Sequence, residues 1–217
     1  MTNITIRNLS KTIKNNTVIN DISMELHSGT VYGFKGINGS GKTMLMGLIC
    51  GLIRPTQGEI RINGKTLGRD ISFPESIGVF LENPAFLDAY SAFHNLKLLA
   101  SIKSIAQDED IRDTLLRVGL EPDSRKKYKK FSLGMKQRLG IAAAIMEKPE
   151  IVILDEPTNS LDEDGVELVK RIVREEKDRG ALVIISCHDA EILKGLSDET
   201  FLLEQGRLIE HTTEERK

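Results

Sequence analysis

The sequence predicts an α/β protein. Its core carries a mainly parallel sheet, a small antiparallel β-subdomain stands at the N-terminus, and an α-helical subdomain is inserted into the core. Three observations predict this. Ile151–Leu154 and Leu182–Ile185 are continuously apolar, as strands of a parallel sheet covered on both faces are. Ile4–Leu9 and Asp21–Leu26 alternate apolar and polar residues, as half-buried antiparallel strands do. Between about residues 84 and 147 the apolar residues recur at helical spacing instead. The expected organisation is a single domain. Residues 1–83 and 148–217 form the α/β core with its β-subdomain, and residues 84–147 form the helical subdomain.

In order along the chain, Lys14-Asn15-Asn16 reads as the turn joining the two alternating strands. Thr30–Phe34 is an apolar strand, and Met44–Cys50 is a helix closed by Gly51. Gly58–Lys65 is a strand running into an Asn63-Gly64 turn. Ile77–Leu81 is a short buried strand. Helical spacing covers Ala92–Ala106, Asp110–Val118 ended by Gly119, and Leu133–Glu147 stopped by Pro149. After Ile151–Leu154 comes an amphipathic helix, Gly165–Arg179, with Val166, Val169, Ile172 and Val173 on one face and Gly180 at its end. Phe201–Leu203 and Arg207–Ile209 form a terminal hairpin around Gln205-Gly206. There is no internal repeat and no low-complexity linker.

With 217 residues the chain is long enough for one substantial core with an insertion. Hydrophobic residues are 40% and charged residues 29%, the balance of a soluble globular protein. A formal net charge of -2 argues against nucleic-acid binding through bulk basic charge. Cys50 and Cys187 each fall in or beside an apolar element, so reduced thiols in the cytosol are expected rather than a disulfide. The N-terminus lacks the apolar core of a signal peptide. No apolar run approaches the ~20 residues that span a bilayer, so any membrane action needs spans from other chains.

Gly36–Thr43 fits the phosphate-binding pattern GxxxxGK[ST], and it lies between the apolar strand and the helix, where its mechanism needs it. Such a strand-loop-helix aims backbone N–H groups and the positive helix end at a polyphosphate. The expected core is therefore a P-loop NTPase core. Asn38, Gly39, Ser40 and Gly41 would cradle the phosphates, Lys42 would reach the β- and γ-phosphates, and Thr43 would ligate Mg²⁺. Asp155-Glu156 closes the strand Ile151–Leu154. Asp155 suits the Mg²⁺ as well, and Glu156 suits a base that takes a proton from water; an acidic turn is the plainer alternative. His188, just past Leu182–Ile185, is either a structural histidine or part of the site.

The order Gly36–Thr43, Ser132–Arg138, Ile151–Glu156, Asn159–Asp162, His188 resembles the ATP-binding cassette (ABC) ATPases over nearly the whole chain. Ser132-Leu133-Gly134-Met135-Lys136-Gln137 looks most like the cassettes of bacitracin-resistance and lantibiotic-immunity exporters. The resemblance implies an ATPase with ATP and Mg²⁺ that powers transport, most simply export. Two cassettes would stack head to tail, so that Ser132 and Gly134 of one meet the γ-phosphate held by Lys42 of the other. Ser132 would in any case cap a helix. Asn159–Asp162 would cross the dimer interface, or serve only as a helix-initiating turn. His188 would contact the γ-phosphate and the attacking water. Separate permease subunits would hold the protein on the cytoplasmic face of the membrane. A soluble ABC ATPase acting on ribosomes or DNA, or a regulatory cassette with weak hydrolysis, are the alternatives; one cassette without a linker or a coiled-coil insertion favours transport.

Two positions depart from the family's pattern. Glu82 stands where a metal-binding glutamine is usual; its oxygen can still ligate Mg²⁺, with added negative charge. Ile13 occupies the place of the aromatic residue that stacks on adenine, which implies weaker ATP binding or poorer discrimination against GTP. Phe86, Leu87, Tyr90 and Phe93 belong either to a groove for a membrane subunit's helix or to the helical core. The basic run Arg125–Lys130 is either a solvated face or a contact for anionic lipid or ATP.

Overall fold

The computed structural model describes residues 1–81 and 85–213. The elements are β1 (Asn3–Ile13), β2 (Asn16–His27), β3 (Val31–Lys35), α1 (Lys42–Ile49), β4 (Gln57–Ile62), β5 (Lys65–Thr66) and β6 (Ile77–Phe80). They continue with α2 (Ala92–Lys103), α3 (Asp108–Arg117), a 3-10 turn (Tyr128–Lys130), α4 (Leu133–Ile145), β7 (Ile151–Leu154), α5 (Glu163–Asp178), β8 (Leu182–Ser186), α6 (Ala190–Leu196), β9 (Glu199–Glu204) and β10 (Arg207–Thr213).

Two sheets form. The smaller has order β2-β1-β4-β5 and is antiparallel throughout. The larger has order β10-β9-β3-β8-β7-β6, in which only β10 runs against its neighbour. Successive side chains of a strand point to opposite faces, and here both faces are covered. Tyr32, Phe34, Ile151, Ile153, Leu182 and Ile184 join one apolar cluster with α1 and the smaller sheet. Val31, Val152, Leu154, Val183 and Ile185 join the other, with residues of α2 to α6. Burial on both sides is the reason these strands read as unbroken apolar runs.

Helix ends are set by capping side chains. Ser91 accepts from His94 N, Ser132 from Met135 N and Asp162 from Gly165 N, each satisfying a donor left over at a helix start. α4 crosses β6 so closely that a Cβ at Gly78 would stand 1.7 Å from Ala144 O. Residue 78 therefore has to be glycine for this approach. α3 is tied to α5 where the buried Glu176 pairs with Arg117 at 2.9 Å and with Arg179. Among the described residues no helix is long and apolar enough to cross a membrane. Cys50 and Cys187 are both buried free thiols.

Several element bounds differ from the sequence reading. β1 and β2 run on well past Leu9 and begin well before Asp21. The alternation breaks because Asn8 (φ 46°) and Asp21 (φ 53°) adopt left-handed backbone, and their side chains bond to each other at 3.1 Å. The resulting register shift between Ile6 and Leu9 keeps both residues buried while moving from a two-residue to a three-residue step. α2 stops at Lys103, short of Ala106, because Ser104 turns left-handed at φ 55°. α6 and β5 were not anticipated; seven and two residues are too few for a period to show.

Candidate nucleotide site

The loop after β3 and the turn after β7 meet at the C-terminal edge of the larger sheet, where open α/β sheets bind ligands. The register aligns Phe34 with Ser186 and Leu154 with Ile185, so β3, β8 and β7 end level with one another. The loop itself is held from behind. Gly36 has φ 153°, and a Cβ there would stand 2.3 Å from Leu203 O. Gly206 N donates to Ser40 O at 2.9 Å, anchoring the loop to the β9–β10 turn. Asn38 and Gly39 are exposed at the rim, Ser40 is buried, and Gly41 is the N-cap of α1.

Lys42, 6% exposed, donates to the loop carbonyls of Gly36 (2.7 Å) and Ile37 (3.3 Å), and its Nζ lies 3.8 Å from Glu156 Oε1. Thr43 Oγ1 donates to Asp155 Oδ2 at 2.5 Å. Glu156 takes left-handed backbone at φ 51°. His188 N donates to its Oε2 at 3.1 Å, and His188 Nε2 lies 3.1 Å from its Oε1. Burial pushes the Glu156 carboxyl above its ordinary range, and His188 and Lys42 oppose that by favouring the carboxylate. The structure thus brings Lys42, Thr43, Asp155, Glu156 and His188 into one cluster.

Two residues of this cluster have no role assigned from the sequence. Ser186 Oγ donates to Asp155 Oδ1 at 2.5 Å and accepts from Glu156 N at 2.9 Å. Gln137 Nε2, on α4, donates to Glu156 O at 2.8 Å. The only signal for Ser186 is a hydroxyl closing an otherwise apolar strand.

The residues fit a magnesium-bound triphosphate. α1 starts with neither a side-chain cap nor an acidic residue in its first turn, so its positive end is left for an external anion. Among the described residues, Ser40 Oγ is buried with no hydrogen-bond partner, and nothing stands within 4 Å of where a Cβ on Gly39 would be. Thr43 and Asp155 present hard oxygen donors, few in number, as Mg²⁺ held mainly by phosphates and water requires.

Ser132 and Gly134 lie in a second, separate group. They line an open groove with Arg138, Ser160, Leu161 and Asp162. A Cβ at Gly134 would stand 3.4 Å from Leu161 Cδ2, so the start of α4 rests against the turn before α5. Ser132 is exposed, and so are Asn159, Ser160 and Asp162. Asp162 does cap α5.

The profile of the ABC transporter family matches residues 19–159. The chain belongs to the ABC transporter family. It is 53% identical to the uncharacterised ABC transporter ATP-binding protein YybJ of Bacillus subtilis (strain 168), over 94% of each chain. It is 35% identical to the bacitracin transport ATP-binding protein BcrA of Enterococcus faecalis, over 95% of this chain and 68% of that one. It is also 35% identical to the lantibiotic transport ATP-binding protein SrtF of Streptococcus pyogenes, over 94% of this chain and 88% of that one. Among solved structures it resembles the dimeric post-hydrolysis state of the cassette MJ0796 bound to ADP and Pi. There the TM-score is 0.85 at 21% identity, over 97% of this chain and 98% of that one, a likeness of fold. As an ABC ATPase this chain binds ATP with Mg²⁺ and hydrolyses it.

The remaining sequence expectations divide. Glu82 lies outside the described residues. Ile13 is 42% exposed and pairs with Asn16 at the end of the β1–β2 hairpin. Phe86 packs edge-on against Tyr128 and joins the helical core, while Leu87 and Tyr90 stay 53% and 41% exposed. Phe93 is half-buried, with the Arg112 guanidinium 5.0 Å from its ring centre. The lysines and Arg125 of the basic run are exposed, and only Tyr128 among them is buried.

Proposed function

We propose that this ABC ATPase works as one of two cassettes beneath separate permease subunits on the cytoplasmic face of a membrane, and that it powers export. One observation carries the paired reading. The Lys42–Glu156 cluster and the Ser132–Gly134 groove are separate groups, and the second is exposed at the start of a helix, with a hydroxyl and first-turn N–H groups of a kind suited to an anion. Each chain then offers two half-sites, and a head-to-tail partner completes both. The names of BcrA and SrtF support a peptide-antibiotic cargo.

In this reading residues 1–83 and 148–217 are the nucleotide-binding core and 84–147 the helical arm that carries Ser132. Asn38 to Thr43 hold the triphosphate, with Lys42 as its point charge. Thr43, Asp155 and Glu82 hold Mg²⁺, which when bound neutralises charge on the phosphate oxygens. Glu156 takes the proton of the attacking water, and His188 keeps the Glu156 carboxylate aimed at that water. Ser132 and the Gly134 N–H serve the nucleotide of the partner.

Steady-state ATPase of wild type against Glu156→Gln tests the assignment. The variant keeps the shape and loses the base, so turnover falls by about 10²- to 10⁴-fold. Equal rates would remove Glu156 as the base.

A further inference from the structure

We propose that Ser186 is a positioning residue for ATP hydrolysis, setting both the carboxylate that faces the metal and the backbone turn that presents the base. This rests on the assignment of Asp155 and Glu156 made above. Ser186 is fully buried at the end of β8, between β3 and β7 in the sheet. Its hydroxyl has one proton and accepting lone pairs, and the structure uses both capacities. It donates to Asp155 Oδ1 at 2.5 Å and accepts from Glu156 N at 2.9 Å.

Each bond has a consequence. Asp155 is also nearly buried, and its other oxygen, Oδ2, accepts from Thr43 Oγ1. The Ser186 bond fixes the carboxylate rotation, so Oδ2 is the oxygen that stays on the Thr43 side. Glu156 has a left-handed backbone at φ 51°, which a side-chain-bearing residue adopts at a cost. Its N–H donates to Ser186 and its C=O accepts from Gln137 Nε2 at 2.8 Å, so the strained residue is gripped on both sides. That turn brings the Glu156 carboxylate beside Lys42 and His188. Removing the hydroxyl leaves a peptide N–H and a carboxylate oxygen short of a partner in a buried place. Ser186 touches neither nucleotide nor water in this account; it acts through its two neighbours.

Ser186→Ala tests the proposal. Turnover at saturating Mg·ATP falls by about 10- to 100-fold, the scale of a lost hydrogen bond to a charged group. Affinity for a fluorescent ATP analogue, measured with Mg²⁺ and again with EDTA, gives a readout independent of turnover. In EDTA the variant binds as wild type does; with Mg²⁺ it loses most of the gain that wild type shows. Ser186→Thr returns the hydroxyl and restores both turnover and the Mg²⁺ gain. Should Ser186→Ala lose its fold, Ser186→Cys, a weaker donor of similar size, shows the same loss in milder form. Wild-type turnover together with a wild-type Mg²⁺ gain in the serine variants overturns the inference, and so does a loss of binding equal in Mg²⁺ and EDTA. Glu156→Gln is run alongside; full turnover there overturns the assignment of the base and with it the Glu156 half of the Ser186 role, while the Mg²⁺ gain tests the Asp155 half by itself.

Discussion

Ile13, which the family resemblance puts in the place of an adenine-stacking aromatic, carries a residue-scale prediction about what the site accepts. It closes a hairpin whose Val18 O and Ile19 Cδ1 lie 3.0 Å from where a Cβ on Gly41 would be, so the hairpin leans on the phosphate loop. An exposed isoleucine offers a base area but no aromatic face, and stacking is typically worth roughly 1–3 kcal/mol. Ile13→Tyr is expected to tighten binding of an ATP analogue by about 5- to 100-fold, measured by fluorescence titration. The wild type is expected to bind ATP and GTP analogues within about tenfold of each other; a strong ATP preference would count against this. The thiols give a second residue-scale expectation. Burial pushes Cys50 up to about 12, and it pushes Cys187 up as well. Only the thiolate reacts, so both should resist iodoacetamide at pH 8 in the native protein and label readily in guanidinium. Fast native labelling of either would contradict its burial.

At the level of elements, β6 and α4 meet at close range around Gly78. A methyl at Gly78 cannot fit 1.7 Å from Ala144 O without moving the helix, so Gly78→Ala should cost about 3 kcal/mol or more. Urea unfolding checks this; a loss under about 1 kcal/mol would mean that α4 shifts freely. The elements also show why some of the fold could be read and some could not. β7 and β8 were legible because burial on both faces leaves no polar position in them before Ser186. The phosphate loop was legible because its chemistry needs glycines and Lys42 at fixed spacing. The bulge at Asn8 was not, since it depends on a partner, Asp21, across the hairpin. Ser186 and Gln137 were silent for the same reason. Their partner residues are 31 and 19 positions away in sequence, and only the fold brings them to Asp155 and Glu156.

For the whole molecule, the proposed pairing of two cassettes would make turnover a property of pairs. Specific ATPase activity should rise with protein concentration and level off, while binding of nucleotide to the monomer persists at dilution. Activity per molecule that is constant across dilution would remove the paired reading. The strand order carries one more consequence. β3, which launches the phosphate loop, has β8 and β9 as its sheet neighbours, and the loop's anchor at Ser40 is Gly206. A ribosome makes the loop well before its supports, at about 5–20 residues per second. The emerging chain therefore carries its nucleotide grip unfinished until the β9–β10 hairpin arrives.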